Sequence, residues 1–267
     1  MEKTDHTFAV CAYGESPYLE ACIRSLKQQT IKTNILIATS TPNSLIDRLS
    51  EKYDIPVFVN TGEHGITQDW NFAYAQAQTK YVTIAHQDDV YDKKYAEEML
   101  RHMRQEKKPL IFYTDYAEIR GGRIVSSNRL LRVKRLMLLP LIPKSARTNI
   151  FLRRRVLSLG SPICCPSVTF AKENLPEVVF QNHFRADEDW EAWERLSALD
   201  GAFIYCRKIL TLHRIHQDSE TTKILQDNER SKEDLYMFRK FWPGPVARIL
   251  CSLYSSSEKS NEMEPKA

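Results

Sequence analysis

Two adjacent carboxylates, Asp88 and Asp89, directly follow an apolar, β-branched run at residues 81–85. This run predicts a buried parallel strand that delivers both side chains to the carboxyl end of a sheet, where open α/β folds bind ligands. Neighbouring carboxylates repel each other unless a cation intervenes, and Mg²⁺ or Mn²⁺ binds carboxylate and phosphate oxygens together. The alternative is structural: the two residues open a turn and cap the helix that starts near Lys93.

A second acidic pair, Glu188 and Asp189, stands before Trp190, Trp193 and Leu196, which recur at helical spacing. The spacing predicts a helix that packs through its tryptophans and begins with acidic residues. The helix macrodipole favours acids in a first turn whether or not they take part in chemistry. The acidic pair alone therefore does not distinguish a catalytic role from a structural one.

The first half of the chain alternates strands with helices. Apolar runs predict strands at residues 8–12, 34–39, 56–60 and 81–85, and helical spacing predicts a helix after each of the first three. Repeated βα units build a parallel, doubly wound sheet flanked by helices. The polar and aromatic residues that follow the strands then meet at one edge: Tyr13, Ser40, Thr41, Asn60, His64 and Asp88.

This edge suits a nucleotide, because an aromatic ring stacks on a base, hydroxyls and amides bind base and ribose, and a metal binds phosphates. Neither a Gly-x-Gly-x-x-Gly motif after the first strand nor a P-loop motif occurs. Their absence argues against dinucleotide-binding and P-loop proteins.

The second half is less regular. Its pattern predicts a helix at 93–106, strands at 110–114, 167–171, 202–207 and 209–212, a hairpin at 117–126, a polar loop at 213–221 and a helix at 228–241. Residues 129–141 are basic and strongly apolar. Such a stretch lies either on an anionic membrane surface or, as we favour, beside the active site as a partly buried, mobile helix.

Composition limits the class of protein. The 267 residues are 42% hydrophobic and 27% charged, as in globular domains, and the net charge of +4 is too small and dispersed to indicate nucleic acid as the main partner. No apolar run approaches the ~20 residues of a membrane span, and the amino terminus has no signal-peptide pattern. Six cysteines without metal-ligand spacing predict reduced, mostly buried thiols in a cytoplasmic protein.

Taken in order, these segments resemble the family-2 inverting glycosyltransferases with the GT-A fold, over about residues 7–221. Tyr13 takes the position of the tyrosine that packs on the nucleotide base, and residues 39–42 stand where the family usually has Asp-Asp-Gly-Ser. Ser40 therefore replaces the carboxylate that accepts a hydrogen bond from the base. His86 and Asp88 stand in the Asp-x-Asp motif, and Asp88 takes the position of its metal-binding aspartate.

Further motifs extend the resemblance. Glu188-Asp189 is similar to the pair whose aspartate is the general base, and residues 213–221 resemble a Tyr-Arg-x-His-x-x-Ser-x-Thr loop beside the diphosphate. His216 in this loop either closes over the diphosphate, binds the metal or is an ordinary surface histidine. The resemblance implies three sets of site residues: catalytic Asp189 and Glu188; nucleotide-binding Ala12, Tyr13, Ser40, Thr41, Asn71, Gln87 and Arg214; and metal-binding Asp88, Asp89 and His216.

The function implied is metal-dependent, inverting transfer of a sugar from a nucleoside-diphosphate sugar, UDP by default, to a hydroxyl of a polysaccharide, lipopolysaccharide or lipid-linked glycan. Mn²⁺ or Mg²⁺ is the implied cofactor, and the implied place is the cytoplasm, with peripheral contact at the inner face of the membrane. Two alternatives stay open: a sugar nucleotidyltransferase, and an inactive nucleotide- or carbohydrate-binding protein with the same fold.

We further predict how the chain is divided. Residues 1–116 form the nucleotide-sugar-binding half, and residues 117–225 form the acceptor-side half of the same domain. Residues 226–254 form a helical extension, and residues 255–267 form a disordered tail.

Overall fold

The computed structural model describes residues 4–181, 184–216 and 229–262. Strands β1 to β9 span, in chain order, His6–Ala12, Asn34–Thr39, Val57–Val59, Tyr81–His86, Val90–Tyr91, Pro109–Arg120, Arg123–Val125, Thr169–Ala171 and Ala202–Ile215. Helices α1 to α10 span Leu19–Lys27, Ser44–Tyr53, Ile66–Gln76, Tyr95–Met103, Arg129–Leu138, Lys144–Arg147, Ile150–Leu157, Glu188–Ser197, Glu229–Arg239 and Gly244–Glu262.

The strands of the described residues form one mixed sheet in the order β3, β2, β1, β4, β8, β6, β9, β5, with β7 paired to β6. Strands β1 to β4 are parallel to one another, as the alternation of strands and helices predicts. Strand β8 runs antiparallel between β4 and β6 and joins the two halves of the sheet. The carboxyl ends of β1, β2 and β4 therefore meet at one edge.

Helices cover both faces of this sheet. On one face α1, α2 and α4 pack against the sheet through a core that contains Phe8, Tyr95 and Met99. On the other face α3, α7 and α8 enclose a second core, in which Trp193 stacks on Phe170 with ring centroids 5.9 Å apart. Each large side chain that becomes fully buried contributes roughly 1.5–3 kcal/mol, so the two tryptophans of α8, both fully buried, hold this helix firmly on the sheet.

The long parallel pair β6 and β9 differs from the sequence prediction. Strand β9 is continuous over the stretch where two short strands at 202–207 and 209–212 are expected, and its register against β6 shifts where Arg207 and Lys208 bulge out. The strand continues to Ile215 because residues 213–215 pair with Glu118–Arg120 of β6. The first part of the predicted polar loop is therefore strand, and residues 217–221 lie outside the described residues.

The carboxyl-terminal helix extends beyond residue 254, where the predicted helical extension ends. Helix α10 reaches Glu262, so residues 255–262 are not the disordered tail that the composition predicts, and residues 263–267 lie outside the described residues. Helices α9 and α10 contact each other, and α10 also contacts α5. Among the described helices, none combines the length and the apolar character needed to cross a bilayer.

Candidate active site

A cavity of about 890 Å³ opens at the sheet edge where β1 and β4 end. Its wall runs from the loop after β1, past the turn after β4, to the amino terminus of α8. The lining residues include Ala12, Tyr13, Asp69, Trp70, His86, Gln87, Asp88, Lys134, Glu188, Asp189, His213, His216 and Arg230. Asp88 and Asp189, one residue from each of the two predicted acidic pairs, thus line one cavity.

Tyr13 presents an exposed aromatic ring on a fixed backbone. The residue is 61% exposed, while its N–H donates to Gln87 Oε1 and its carbonyl accepts from Gln87 Nε2, both at 3.0 Å. The next residue, Gly14, donates its N–H to Thr41 Oγ1 at 2.7 Å. The loops after β1, β2 and β4 are therefore tied together behind a ring that is free to stack on a planar ligand.

Asp69 is a carboxylate in the wall of the same cavity, and the sequence reasoning missed it. It lines the cavity from the first turn of α3, whereas Ser40 and Thr41 are not among the lining residues. Ser40 Oγ donates to Asp69 Oδ2 at 2.7 Å, and Asn60 Nδ2 donates to Asp69 Oδ1 at 2.8 Å. The predicted nucleotide-binding hydroxyls of Ser40 and Thr41 thus act on neighbouring protein groups.

His86 lies where the Asp-x-Asp motif has its first aspartate, and the structure keeps its ring neutral. Burial lowers the pKa of His86, and the ring stacks on Trp70 with centroids 5.0 Å apart at an interplanar angle of 23°. Its Nε2 has no hydrogen-bond partner among the described residues. The ring therefore lines the cavity while its Nε2 stays buried and unpaired.

Asp88 and His216 form the pair that fits a divalent cation. His216 Nε2 lies 3.0 Å from Asp88 Oδ2, and each side chain is about one-fifth exposed. Arg214 Nε donates to the backbone carbonyl of Asp88 at 2.9 Å, and its guanidinium lies 4.3 Å from the ring centroid of Tyr18. A carboxylate suits Mn²⁺ or Mg²⁺, and imidazole is the commonest protein metal ligand, so these donors fit the predicted metal.

Asp89 occupies a different environment from its neighbour. It is 0% exposed, it is not among the lining residues, and its carboxylate binds His213 Nδ1 at 3.1 Å and the N–H of Arg214 at 2.8 Å. Burial works against ionisation, but the positive charge of His213 and these hydrogen bonds outweigh it and lower the pKa of Asp89. These contacts anchor β9 beneath the turn after β4 and give no support to the predicted metal-ligand role of Asp89.

Asn71 also turns away from the cavity. Its Nδ2 donates to the carbonyl of Phe180 at 2.7 Å, and its Oδ1 accepts the N–H groups of Val179 and Phe180 at 3.1 and 3.0 Å. Asn71 is not among the lining residues. Because its amide is engaged at both ends, the contacts assign Asn71 to holding the segment before α8 on α3 and do not support the predicted contact with the nucleotide.

The amino terminus of α8 brings Glu188 and Asp189 to the wall of the same cavity. Burial raises the pKa of Asp189 above its usual range and raises the pKa of Glu188 to about 7. The positive charge of Lys134, on α5, faces Asp189 and partly offsets this effect. Both carboxylates therefore have a higher proton affinity than carboxylates in water.

The segment that precedes α8 is held by Glu233 of α9, which the sequence reasoning also missed. The Glu233 carboxylate accepts the backbone N–H groups of Arg185, Ala186 and Asp187 at 2.8–3.2 Å. Three successive N–H groups bound to one carboxylate fix the entry into the helix. No local pattern joins position 233 to positions 185–187, so sequence spacing gives no signal for this contact.

Helix α5 lies beside the cavity, since Lys134 is one of the lining residues. Arg135 of the same helix donates to the carbonyls of Tyr116 and Ser126, both at 2.8 Å. This placement agrees with the favoured interpretation of residues 129–141 as a helix near the active site.

A second group of metal-ligand side chains lies elsewhere, where Glu98, His102 and Cys206 approach one another. Arg101 and Lys208 both donate to the Glu98 carboxylate, the latter at 2.6 Å. Two cations therefore already neutralise this carboxylate, and the group does not compete with Asp88 and His216 as a candidate metal centre.

The chain is similar in sequence and in fold to known glycosyltransferases. A family model described as glycosyl transferase family 2 matches residues 7–180. Among solved structures, S. aureus TarS 1-349 superposes with a TM-score of 0.65 at 12% identity, over 98% of this chain and 76% of that one. Its complex with UDP-GlcNAc gives a TM-score of 0.62 at 13% identity, over 93% and 70% of the two chains.

A mannosyltransferase, PcManGT from Pyrobaculum calidifontis in complex with GDP-Man and Mn²⁺, gives a TM-score of 0.60 at 13% identity, over 94% and 69% of the two chains. No curated protein sequence matches the chain. At this identity the structures share the fold, a helix-flanked, curled α/β sheet of the GT-A type, as the sequence resemblance predicts.

Proposed function

The chain belongs to glycosyltransferase family 2, and from this premise we propose that it transfers the sugar of a nucleoside-diphosphate sugar to an acceptor hydroxyl in one displacement that inverts the anomeric carbon. The observation that carries the proposal is the shared cavity, whose wall contains Asp88 at the turn after β4 and Asp189 at the start of α8. We call these two parts of the wall the donor end and the acceptor end. A single displacement needs a group that stabilises the leaving diphosphate at one end and a proton acceptor at the other.

Asp189 is the proposed general base. An acceptor hydroxyl becomes a competent nucleophile as its proton is removed, and a carboxylate with a raised pKa is a stronger base than an ordinary aspartate. Glu188, beside it at the start of α8, is proposed to orient the acceptor. The contacts of Glu233 with the preceding backbone hold the start of the helix from which both side chains project.

Asp88 and His216 are the proposed ligands of a divalent cation, Mn²⁺ or Mg²⁺. When bound there, such a cation supplies Lewis-acid stabilisation of the charge that develops on the departing diphosphate. Arg214 holds the backbone of Asp88, and its guanidinium adds positive charge at the same end. His86 lines the same part of the cavity and is proposed to shape the wall beside the nucleotide.

The proposed donor is a UDP-sugar or a GDP-sugar. The exposed ring of Tyr13 supports stacking on a base, and the solved relatives include complexes with UDP-GlcNAc and with GDP-Man. Ala12 and Gln87 line the same part of the cavity and are proposed to contact the nucleoside. The sugar itself is proposed to be a hexose or a related sugar.

The proposed acceptor is a glycan or lipid-linked glycan at an anionic membrane surface. Helices α5 and α10 contact each other and expose large apolar side chains, with Leu136 65% and Ile249 63% exposed. Arg132 and Arg248, on the same two helices, are exposed as well. Apolar side chains that insert and cations that bind anionic headgroups are the combination used by peripheral membrane proteins, so we propose that this face contacts the membrane.

Vesicle binding tests the membrane contact. The full chain should sediment with vesicles that contain phosphatidylglycerol, at low salt, and should stay in the supernatant with vesicles of neutral phosphatidylcholine. The variant L136E/I249E should lose this binding while keeping nucleotide binding. Equal sedimentation of the variant and the unmodified protein would contradict the proposal.

The transferase proposal is tested by a screen of nucleotide sugars with and without Mn²⁺. The expected result is metal-dependent binding of one class of sugar nucleotide and release of nucleoside diphosphate when water or a glycan accepts the sugar. Release of pyrophosphate from a nucleoside triphosphate and a sugar phosphate would instead identify a nucleotidyltransferase. Binding without any turnover in the presence of acceptor glycans would favour an inactive binding protein.

A further inference from the structure

We infer that Asp69, on α3, is the carboxylate that selects the nucleotide base, in place of the carboxylate that Ser40 replaces at the end of β2. This inference rests on the proposed function and deepens it, because it names the chemical class of base that the site accepts. That class is a base that presents an imide-type N–H beside a carbonyl, as uracil does at N3 and guanine does at N1.

Asp69 and Ser40 differ in their position relative to the cavity. Ser40 follows β2 at the sheet edge but does not line the cavity, whereas Asp69 does. The two side chains are joined by the 2.7 Å hydrogen bond from Ser40 Oγ to Asp69 Oδ2. The small hydroxyl side chain therefore leaves room at the end of β2 and holds a carboxylate that enters the same region from a helix 29 positions further along the chain.

Hydrogen bonds orient the Asp69 carboxylate. Ser40 and Asn60 donate to its two different oxygens, at 2.7 and 2.8 Å. A carboxylate offers about four lone-pair sites, so these bonds fix its plane and leave acceptor capacity for a ligand. Asp69 also lies in the first turn of α3, where the helix macrodipole favours a negative charge. The group is thus oriented and suited to accept a hydrogen bond.

Hydrogen bonds also connect the Asp69 carboxylate to the loop that carries the ring of Tyr13. Thr41, the neighbour of Ser40, accepts the N–H of Gly14, which follows Tyr13. Two hydrogen bonds, from the Ser40 hydroxyl to Asp69 and from the Gly14 N–H to Thr41, therefore link the carboxylate to the loop that carries the ring. A base stacked on Tyr13 would meet a carboxylate whose position relative to the ring is fixed by the protein.

The chemistry of the bases then decides which ones fit. The N3–H of uracil and the N1–H of guanine donate to a carboxylate, whereas the corresponding ring nitrogens of cytosine and adenine are acceptors that a carboxylate repels. A site built around Asp69 should therefore prefer UDP or GDP to CDP and ADP. Two effects produce this preference: uracil or guanine makes a hydrogen bond to Asp69, and cytosine or adenine would leave the Asp69 acceptor unpaired.

The experiment is calorimetric titration of the full chain with UDP, GDP, CDP and ADP in the presence of Mn²⁺. The unmodified protein should prefer UDP or GDP, and Asp69→Ala should lower the affinity for the preferred nucleotide about 10- to 100-fold while changing CDP and ADP little, because a hydrogen bond to a charged group is lost. A loss confined to UDP would identify uracil, and one confined to GDP would identify guanine.

Two further variants separate base selection from a structural role. Glu63→Gln removes an exposed negative charge at the same end of the site and should leave all four affinities unchanged. The exchange S40D/D69S returns the carboxylate to the end of β2 and should restore at least part of the preference that Asp69→Ala loses. Ser40→Ala keeps the carboxylate but releases its orientation, so its loss should be smaller than that of Asp69→Ala.

The outcomes distinguish this inference from the proposed function. Equal losses for all four nucleotides in Asp69→Ala, or an unchanged preference, would overturn the role of Asp69 and leave the transferase proposal intact. An unmodified protein that binds none of the four with Mn²⁺ would overturn both. Thermal unfolding of each variant shows whether a uniform loss comes from damage to the fold.

Discussion

The two ends of the cavity treat their carboxylates in opposite ways. Below the turn after β4, the charge of His213 and the bond from Arg214 lower the pKa of Asp89 in spite of its burial. At the start of α8, burial prevails and raises the pKa of Glu188 and of Asp189. The first end keeps negative charge in place beside a candidate cation site, and the second end keeps carboxylates with a high affinity for protons.

This difference suggests a division of labour that the motifs alone do not contain. A leaving diphosphate needs fixed charge around it, whereas an attacking hydroxyl needs an acceptor for its proton. The same residue type serves both needs because the surroundings, and not the side chain, set its proton affinity. Substitutions at the two ends should therefore affect different measurements.

The largest effect is expected at the acceptor end. Asp189→Asn should lower the rate of sugar transfer by about 10²- to 10⁴-fold, because the proposed general base is lost. The affinity for nucleoside diphosphate with Mn²⁺ should stay unchanged, since the proposed nucleotide site is at the donor end. Transfer rates and calorimetric titration of the same preparation measure both quantities.

Asp200→Asn is the matched control for this substitution, because Asp200 is an exposed aspartate just after the other end of α8. It should leave the transfer rate within a factor of two of the unmodified protein. A fall of less than tenfold for Asp189→Asn would mean that the residue serves only the first turn of its helix, where a cap contributes about 1 kcal/mol.

The next largest effect is expected at the leaving-group end. Asp88→Asn should lower the transfer rate by about 100-fold, because stabilisation of the leaving diphosphate by a metal contributes several kcal/mol. It should also abolish the dependence of nucleotide binding on Mn²⁺, so that binding with Mn²⁺ equals the binding expected of the unmodified protein after the metal is chelated. Asp47→Asn, at an exposed position on α2, is the control. Nucleotide binding that still responds fully to Mn²⁺ in Asp88→Asn would contradict its role as a ligand.

The sequence predicts the donor end better than the acceptor end, and the reason is local. Strands β1, β2 and β4 are bounded by turn-forming residues and separated by amphipathic helices, so their carboxyl ends must meet at one edge. The helix that begins near Glu188 is equally clear from its tryptophans. In both places a short apolar pattern determines the element and its ends.

What the sequence leaves undetermined depends on contacts between distant positions. Asp88 and Asp89 are equivalent in any pattern, and only the approach of His213 on β9 shows that the second of them is buried. Asp69 becomes visible as a partner of Ser40 only after α3 packs on the sheet. Likewise the bulge at Arg207 interrupts the apolar alternation of β9 and makes one strand look like two.

A stability measurement sharpens the comparison between the two ends. The pKa of Glu188 is raised to about 7 in the folded protein, so its contribution to stability is full below its ordinary value of 4.5 and is lost as the pH rises to 7. Glu188→Gln should therefore raise the free energy of unfolding by about 2–3 kcal/mol at pH 8 and by little near pH 4.5. Urea unfolding at the two pH values measures the difference.

Asp89→Asn is the counterpart at the other end and should act in the opposite direction. The lowered pKa of Asp89 contributes stability above its ordinary value of 3.8, and this stability is lost only as the pH falls through the folded pKa. The substitution should therefore lower the free energy of unfolding at pH 8, where Glu188→Gln raises it. Changes of the same sign in both variants would show that the two ends do not differ as their pKa shifts indicate.

The smallest effect is expected from Glu233, which acts on the acceptor end through the backbone. Glu233→Gln keeps an oxygen acceptor but weakens charge-assisted bonds to the N–H groups of Ala186 and Asp187, a change of about 1 kcal/mol. Transfer should fall by less than about tenfold, with the affinity for nucleotide unchanged, because the entry into α8 loosens while the donor end keeps its contacts. Glu177→Gln, at an exposed position, controls for the loss of charge. An equal loss of nucleotide affinity would show that the two ends are coupled, and it would contradict the proposed division of labour.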